Sequence, residues 1–586
     1  MTILLKNGNT VDVENTKITR ADILIENGII TEVSEKPVVP PADAEIIDCA
    51  GKIVSPGLID AHLHIESSML SPVEFCRNSV KNGTTAVLAD PHEISNVFGM
   101  DAVKMFMELA PSMPLQMLIA LPSCVPSTDM ENSGAAISLA DMREIMDDPG
   151  IYGLGEMMNF PGIINGFGEA RQKVDAFFEL GKLVDGHSPS LRGKELISYI
   201  TNGRMDGKVR IMSDHEVSFP EEALEKIANG MYIALRYGSA SKDMDNVLPG
   251  ILRSGAGTSK CMLCSDDLSA QELYDAGHMN RTVRRCRDII AETLGVPAEQ
   301  AAVTAIGMAS KNAGNYLAPY LAHYGLPRMG VIAKGMRADI TVFDSLEKLN
   351  AIDVICGGKI TLRNSLPARA LPSYDFKNFT ASVNLRSPVK PGDFSIHSDK
   401  SSVRARAIDI TAESLLTGTC FVNLLVQNGI VRPDPKQDTA IIAVFERHHA
   451  TGSHAAAFVR GLGIKEGAMA STVAHDSHNL IVAGYEPEEM AVLANALMDC
   501  GGGIGVIKHG KINLLPLEIG GLMSNDSIET VIAKYKAVKD ELSGSRLKNA
   551  FMTMSFLSLP VIPELKITDK GLVDVNKFEF VSVIEE

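Results

Sequence analysis

Short apolar runs alternate with helix-like segments along residues 58–325. Eight of these runs are short enough to be buried strands, and they span residues 58–59, 85–89, 116–120, 153–155, 182–184, 209–212, 232–235 and 260–264. Helix-start signals separate them; Ser71 followed by Pro72, for example, supplies an N-cap residue and a proline at the first helical position. Eight strands separated by helices in roughly 270 residues predict an α/β fold, a TIM (β/α)8 barrel. A doubly wound open sheet is the structural alternative.

The N-terminal residues have the alternation of short β-strands. Asn7-Gly8 and Asn27-Gly28 each follow apolar positions, and both pairs predict hairpin turns. A few short strands do not bury a core alone, so they need partners, and the strand–turn–strand pattern of residues 330–344 can provide them. We therefore predict a small β-sandwich domain, built from residues 1–57 and 326–365, with the barrel of residues 58–325 inserted into it.

After residue 365 the pattern changes twice. Residues 366–394 are rich in proline and loop-forming residues, which predicts a linker. Residues 395–586 again alternate strand and helix patterns, and they predict a separate C-terminal α/β domain.

Composition narrows the classes of function. Lys and Arg number 55 against 72 Asp and Glu, a net charge of -17 that argues against binding nucleic acid or an anionic membrane. No apolar stretch is long enough to span a bilayer, and the first residues lack the pattern of a signal peptide. The nine scattered cysteines indicate reduced thiols. These features predict a cytoplasmic protein.

Metal-binding side chains follow the ends of the predicted strands. His62 and His64 are two positions apart, so on a strand they project to the same side and can share a metal ion. The other strand ends carry Asp90, His92 and Glu93, then Glu156, His187, His215, and finally Asp266 with Asp267. Five of the 14 histidines fall at these ends. Because TIM-barrel catalytic residues lie at the C-terminal ends of the strands, the pattern predicts a metal-dependent enzyme.

Two other groups of candidate ligands are weaker. Cys261 and Cys264, taken with His64 and Glu66, formally match a cytidine-deaminase-type zinc site. No proline precedes Cys261 and both cysteines lie in an apolar run, so core packing is the favoured interpretation. For the Arg-His-His segment at 447–449 together with His454, a solvated loop is favoured over a metal cluster.

The longer motifs resemble the amidohydrolase superfamily and, within it, the adenine deaminase family. The resemblance is carried by SPGLIDAHLHIESSM (55–69), TTAVLADPHEISNVFG (84–99), GLGEMMNFPGIING (153–166), VDGHSP (184–189), SDHE (213–216), SDDLSAQELYDAGHMN (265–280), STVAHDSHNLIVAG (471–484) and LPLEIGGLMS (515–524). It covers nearly the whole chain. His475 and His478 belong to one of these stretches, and two interpretations of them stay open: a cap over the active site or the stabilisation of a turn.

The resemblance implies a role for each site residue. It implies that the metal ligands are His62, His64, Glu156, His187, His215 and Asp266. Glu156 would bridge two metal ions in the place where dihydroorotases and hydantoinases use a carboxylated lysine. Asp266, with Glu156, would be catalytic. His92, Glu93 and Asp267 would contact substrate.

The implied reaction is the hydrolysis of adenine to hypoxanthine and ammonia. Hydroxide generated at a binuclear metal site would attack C6 of adenine. Manganese or iron(II) is favoured as the metal, with zinc as a further candidate. The alternatives are another cyclic amidine or amide hydrolase of the superfamily and, less favoured, a metal-free structural homologue. We expect adenine as a small-molecule substrate, no nucleic-acid or membrane partner, and a homo-oligomer, specifically a dimer.

Overall fold

The computed structural model describes residues 2–411, 416–542, 547 and 549–585. The chain begins with the strands β1 (Thr2–Asp12), β2 (Lys17–Glu26), β3 (Ile29–Ser34), β4 (Glu45–Asp48) and β5 (Ile53–Pro56). The Asn27-Gly28 turn is confirmed between β2 and β3. The prediction of a turn at Asn7-Gly8 is wrong, because the pair lies inside β1 at a register shift between Leu5 and Gly8. Asn7 has a φ of 64°, a left-handed conformation that serves a β-bulge as well as a turn.

Eight parallel strands then form a closed barrel. They are β6 (Leu58–Leu63), β7 (Thr84–Ala89), β8 (Gln116–Leu121), β9 (Ile151–Met157), β10 (Leu183–Gly186), β11 (Ser213–Asp214), β12 (Tyr232–Arg236) and β13 (Cys261–Cys264). Hydrogen bonds join β6–β10 and β11–β13 into two parallel sheets. The Met212 N–H donates to Val184 O at 2.9 Å, and the Asp266 N–H donates to His62 O at 3.1 Å. These two bonds join the sheets at both edges, so the predicted barrel is confirmed and the open sheet is excluded.

The sixth strand of the barrel is displaced from its predicted position. The apolar run at 209–212 predicts a strand, but β11 comprises only Ser213–Asp214. The backbone N–H groups of Arg210 and Ile211 both donate to Ile200 O, the last residue of the preceding helix. These bonds hold Arg210 and Ile211 against that helix, whereas Met212 bonds to Val184 and Tyr232 of the neighbouring strands.

Thirteen helices lie within the barrel segment. They are α1 (Pro72–Lys81), α2 (His92–Phe98), α3 (Met100–Leu109), α4 (Leu139–Met142), α5 (Phe160–Asn165), α6 (Ala170–Glu179), α7 (Gly193–Ile200), α8 (Pro220–Ala228), α9 (Met244–Ser254), α10 (Ala270–Ala276), α11 (Met279–Leu294), α12 (Ala298–Met308) and α13 (Lys311–His323). The predicted N-cap of α1 is confirmed, since Ser71 Oγ accepts a hydrogen bond from the Glu74 N–H.

The chain then returns to the N-terminal sheet. Strands β14 (Ile340–Phe343), β15 (Ala351–Cys356), β16 (Lys359–Arg363) and β17 (Leu366–Pro367) extend it, with β14 antiparallel to β5. The nine strands share a core of their own, in which Ile3, Ile23, Val54 and Ile340 are buried. The barrel strands therefore lie between two parts of one sheet. The predicted division of the chain into domains stays a proposal.

The C-terminal part contains a second large sheet of nine strands in the order β20-β19-β18-β22-β21-β24-β23-β25-β26. Its strands are β18 (Ser402–Ile410), β19 (Thr417–Gln427), β20 (Ile430–Val431), β21 (Thr439–Phe445), β22 (His454–Arg460), β23 (Ala468–Ser471), β24 (Leu480–Gly484), β25 (Gly503–Lys508) and β26 (Lys511–Pro516). The helices are α14 (Pro487–Asp499), α15 (Ile528–Asp540) and α16 (Ala550–Ser555), and a small sheet ends the chain: β27 (Leu565–Thr568), β28 (Gly571–Asp574) and β29 (Glu579–Phe580).

The C-terminal part packs directly on the barrel. The Ser71 N–H donates to Ser524 O at 2.9 Å, and Asp569 accepts two hydrogen bonds from Asn132. Short 3-10 helices complete the structure at Ile65–Ser68, Ala110–Ser112, Phe376–Phe379, Pro391–Phe394, Pro435–Gln437 and Phe556–Ser558. Among the described residues, every helix is too short or too polar to cross a lipid bilayer.

Candidate metal centre

All six predicted ligands meet at one end of the barrel. His62 lies near the end of β6, and His64 follows that strand; their Nε2 atoms are 3.2 Å apart and both rings are buried. The Nδ1 atom of His64 lies 3.0 Å from the Asp90 backbone O. This contact makes Nδ1 the protonated nitrogen, because a carbonyl only accepts, and it leaves the Nε2 lone pair free to bind a metal.

Glu156, at the end of β9, lies at the centre of the cluster. Its Oε2 atom is 2.7 Å from His215 Nε2 and 2.9 Å from His187 Nδ1. The same carboxylate lies 3.7 Å from His62 Nε2 and 4.0 Å from His64 Nε2. One carboxylate within reach of four imidazoles has the arrangement that a bridging ligand needs.

Asp266 closes the other side of the cluster. Its Oδ1 atom lies 3.3 Å from His64 Nε2 and 3.8 Å from His62 Nε2. Its Oδ2 atom accepts a hydrogen bond from Arg236 Nη1 at 3.2 Å. The φ of Asp266 is 55°, so the residue turns sharply out of the barrel wall directly after β13.

The six ligands divide in the direction of their pKa shifts. Neighbouring carboxylates outweigh burial and raise the pKa values of His64, His187 and His215, whereas the pKa values of the other three ligands are lowered. Burial lowers the pKa of His62 well below its usual value, and His215 and His64 lower it further. Burial raises the pKa of Glu156, but His187 and His215 outweigh burial and hold that pKa well below its usual range. For Asp266, burial again raises the pKa, whereas the neighbouring His64 ring and the Arg236 charge bring it well below the usual value.

The donor set fits divalent metal ions. Three overlapping groups have ligand atoms within 4.8 Å of one another: His62–His64–Glu156, His62–His215–Asp266 and Glu156–His187–His215. Nitrogen and carboxylate oxygen donors of this kind suit manganese, iron and zinc. His62 Nδ1 is buried without a hydrogen-bond partner in the described part of the chain. The residues could therefore hold two ions, with Glu156 common to both sites.

His92 and Glu93 connect this cluster to the C-terminal part. His92 Nδ1 lies 3.7 Å from Glu156 Oε1, and His92 Nε2 lies 3.4 Å from Glu93 Oε1. Glu93 also contacts His475 Nδ1 through Oε1, at 2.6 Å, and His478 Nε2 through Oε2. The structure thus places both C-terminal histidines against the active-site wall, the first of the two interpretations of this pair.

The group of Glu93, His475 and His478 is a hydrogen-bonded network in this structure. His478 Nδ1 accepts a hydrogen bond from the Ala474 N–H at 3.1 Å, so the proton of the neutral ring is on Nε2. That Nε2–H donates to Glu93, which leaves His478 without a lone pair for a metal. We therefore assign no metal to this group, although its ligand atoms lie close together.

Two residues that border the cavity, Arg236 and Glu216, carry no prediction from the sequence. Arg236, at the end of β12, donates to Asp266 and forms an ion pair with Glu216, which follows His215 directly. The rule that strand ends carry functional residues applies to Arg236 equally, so it could have been identified. Asp267 borders the same cavity and accepts a hydrogen bond from Ser67 Oγ.

The C-terminal part supplies one wall of the cavity. Its residues there are His475, Asp476, Phe556, Leu559, Val561 and Ile562. No pattern within the barrel sequence indicates them, because they depend on how two distant parts of the chain pack.

Of the two weaker groups of candidate ligands, the structure agrees with the expectation for the cysteines and differs from it for Arg447. Cys261 and Cys264 are free and buried, as core packing predicts. The solvated loop is wrong for Arg447, which is fully buried and donates to the backbone oxygens of Ser382, His478 and Gly520.

The chain is similar to known proteins over its whole length. Residues 53–361 match the model of the amidohydrolase family, and residues 414–579 match the adenine deaminase C-terminal domain. An adenine deaminase from Desulfatibacillum aliphaticivorans is 40% identical, with 100% of this chain and 97% of the relative covered. An adenine deaminase from Clostridium acetobutylicum is 38% identical, with 99% and 97% covered. Among solved structures, a beta-aspartyl dipeptidase from Fervidobacterium islandicum AW-1 aligns at 17% identity with a TM-score of 0.46, covering 64% of this chain and 100% of that chain.

Proposed function

This chain belongs to the amidohydrolase family and, over its full length, to the adenine deaminases within it, and on that basis we propose that it hydrolyses adenine to hypoxanthine and ammonia. The observation that carries the proposal is the approach of four imidazoles to the Glu156 carboxylate, with Asp266 beside them, at the C-terminal ends of the barrel strands. A scaffold protein has no need for such a cluster, which argues against a metal-free structural homologue.

Membership of this family implies a divalent metal site. We propose that His62, His64 and Asp266 hold one ion, that His187 and His215 hold a second, and that Glu156 bridges the two. Manganese or iron(II) suits this mixture of imidazole and carboxylate donors, and zinc is a further candidate. When bound, such ions lower the pKa of water to about 7 and so supply hydroxide at neutral pH.

Asp266 is the proposed proton carrier. Its Oδ2 atom accepts a hydrogen bond from Arg236, which fixes the carboxylate beside His64 and His62. It can accept the proton of the attacking water as the oxygen bonds to C6 of adenine, and it can pass a proton to the departing amino group, which leaves as ammonia. Glu156 is less suited to this task, because its Oε2 atom already contacts both His187 and His215.

Of the three proposed substrate contacts, two stay candidates for binding adenine and the third has a different main role. His92 and Asp267 border the cavity and stay candidates for binding adenine. Glu93 also borders it, but both of its oxygens are within hydrogen-bond distance of histidines of the C-terminal part. Holding that part against the cavity is therefore its main proposed role.

We also propose a cellular compartment, a class of partner and an oligomeric state for the enzyme. The nine free cysteines, all within the described residues, support a reducing compartment such as the cytoplasm. The net charge of -17 supports a small-molecule substrate over nucleic acid or membrane, in line with a role in purine metabolism. A homo-oligomer, specifically a dimer, stays a prediction.

The test is ammonia release by protein purified with manganese or iron(II) supplied. Adenine and adenosine are assayed for ammonia, and dihydrouracil, a cyclic amide whose hydrolysis opens the ring without releasing ammonia, is assayed for its ring-opened product. We expect ammonia from adenine alone and no ring opening of dihydrouracil. Ring opening of dihydrouracil, or no ammonia from adenine by metal-loaded protein, would favour the other ring hydrolases of the family.

A further inference from the structure

Asp476 borders the cavity of the metal centre and has a carboxylate oxygen without a hydrogen-bond partner among the described residues. The residue lies in the loop between β23 and β24, is 4% exposed, and borders the same cavity as Glu156 and Asp266. Its Oδ2 atom is buried and has no hydrogen-bond partner among the described residues. Leaving a buried acceptor unpaired costs free energy, so an unpaired oxygen at a substrate cavity points to a bound donor.

The loop that carries Asp476 is held firmly. The neighbouring His475 is bonded to Glu93, and its ring stacks on Phe556 with centroids 4.4 Å apart and planes at 11°. Ser558 Oγ donates to His475 O at 3.2 Å. These contacts fix the backbone next to Asp476, and an acceptor on a fixed backbone favours a donor at a defined position.

The surroundings suit a flat heterocycle. Leu559, Val561 and Ile562 border the cavity beside Asp476 and offer apolar surface to a ring face. Asp266 accepts a hydrogen bond from Arg236, which also donates to Glu216, whereas an Asp476 carboxylate oxygen lies within 4.8 Å of a ring nitrogen of His92 and a carboxylate oxygen of Glu93. The two carboxylates therefore have different neighbours and can contact different edges of one ring.

We propose that Asp476 Oδ2 accepts a hydrogen bond from the N–H of the five-membered ring of a free purine base, and that this contact selects the base over its nucleosides. The inference rests on the proposed function. A free purine has one such N–H, on N7 or N9. A nucleoside has none, because N9 bears the sugar. The Asp476 carboxylate would then face only the N7 acceptor of that ring and would be left unpaired.

The test compares adenine with 9-methyladenine, which has the same amino group but no N–H in the five-membered ring. For each protein the ratio of kcat/KM for the two substrates is measured in one preparation, so that differences in metal content cancel. The variants are Asp476→Ala and Asp476→Asn. The matched control is Asp569→Asn, which alters a buried carboxylate where the C-terminal part contacts Asn132, away from the cavity.

We expect Asp476→Ala to lower kcat/KM for adenine by about 10- to 100-fold, the usual effect of losing a hydrogen bond to a charged group, with little change for 9-methyladenine. The ratio then falls by at least about tenfold. Asp476→Asn keeps the volume and a weaker acceptor, so its ratio should lie between those of the wild type and Asp476→Ala. The control should keep the wild-type ratio.

An unchanged ratio in either folded Asp476 variant overturns the inference, because a purely structural role lowers both activities together. An equal fall of the ratio in Asp569→Asn also overturns it. If the wild-type protein releases no ammonia from adenine, the proposed function itself has failed, which is a different result from adenine turnover with an unchanged ratio.

Discussion

The Nδ1 atom of His475 lies 2.6 Å from Oε1 of Glu93, although the two residues are 382 positions apart in the chain. Glu93 follows His92, and His92 lies 3.7 Å from the central carboxylate Glu156. The C-terminal part therefore reaches the metal centre through only two intervening side chains. We infer that it belongs to the active site.

The first prediction concerns this connection. Glu93→Gln places an amide where histidine N–H groups now meet a carboxylate, so at least one buried donor loses its acceptor, at a cost of about 1–3 kcal/mol. We expect faster amide hydrogen exchange in the segment that carries His475 and His478, together with lower turnover of adenine. Exchange followed by mass spectrometry measures the first effect.

Asp569→Asn is the control for this prediction, since it weakens a different contact between the same two parts. It should leave exchange near His475 unchanged. Exchange in Glu93→Gln equal to that of the wild type would show that the contact does not hold the loop in place.

The second prediction concerns Asp266. Asp266→Asn removes the proposed proton acceptor and keeps the shape, and asparagine tolerates the φ of 55° at this position. We expect kcat for adenine to fall by about 10²- to 10⁴-fold, with the fold and bound metal retained. Steady-state kinetics, circular dichroism and metal analysis measure the three quantities.

Asp245→Asn is the matched control, because Asp245 forms an ion pair with Arg285 at the surface and is remote from the cavity. It should keep wild-type turnover. If Asp266→Asn retained turnover within about tenfold of the wild type, the role of Asp266 as proton carrier would be wrong.

The third prediction concerns pH and the buried Glu131. Burial raises the pKa of Glu131 to about 8, with Asp476 and Asp569 adding to the shift. The unfolded chain loses this proton near the usual pKa of 4.5. Between those values the folded protein holds one more proton than the unfolded chain, so stability falls as the pH rises.

Glu131→Gln mimics the protonated side chain and removes this loss. At pH 8 we expect an apparent Tm about 2 °C or more above the wild type, with a smaller difference at pH 5. Scanning calorimetry at one scan rate measures both. Glu292→Gln, at an exposed position, is the control and should not change with pH. An equal gain for Glu131→Gln at both pH values would refute the explanation.

Much of the site could be predicted from the sequence because parallel strands bring their ends to one side of a barrel. Each of His62, Glu156, His187, His215 and Asp266 follows or ends an apolar run, so a local pattern was enough to group them. The fold gathers them without any need to know how distant helices pack. The same rule also applies to Arg236, which ends β12.

Local patterns failed where the deciding contacts are long-range. Asn7-Gly8 has the sequence of a turn, but β1 continues through the pair because the residues before and after it both pair with β2. The run at 209–212 has the sequence of a strand, but hydrogen bonds to Ile200 hold part of it outside the sheet. The polar segment at Arg447 is buried because backbone oxygens from three separate loops surround its guanidinium group.

The most direct test of the account is a metal titration of the metal-free protein, followed by the formation of hypoxanthine from adenine. Protein stripped with a chelator is titrated with manganese(II), and with iron(II) in the absence of oxygen. We predict no hypoxanthine without metal and an activity that rises to a plateau at about two ions per chain. Full activity in the metal-free protein, or none after saturation with either metal, would contradict the account.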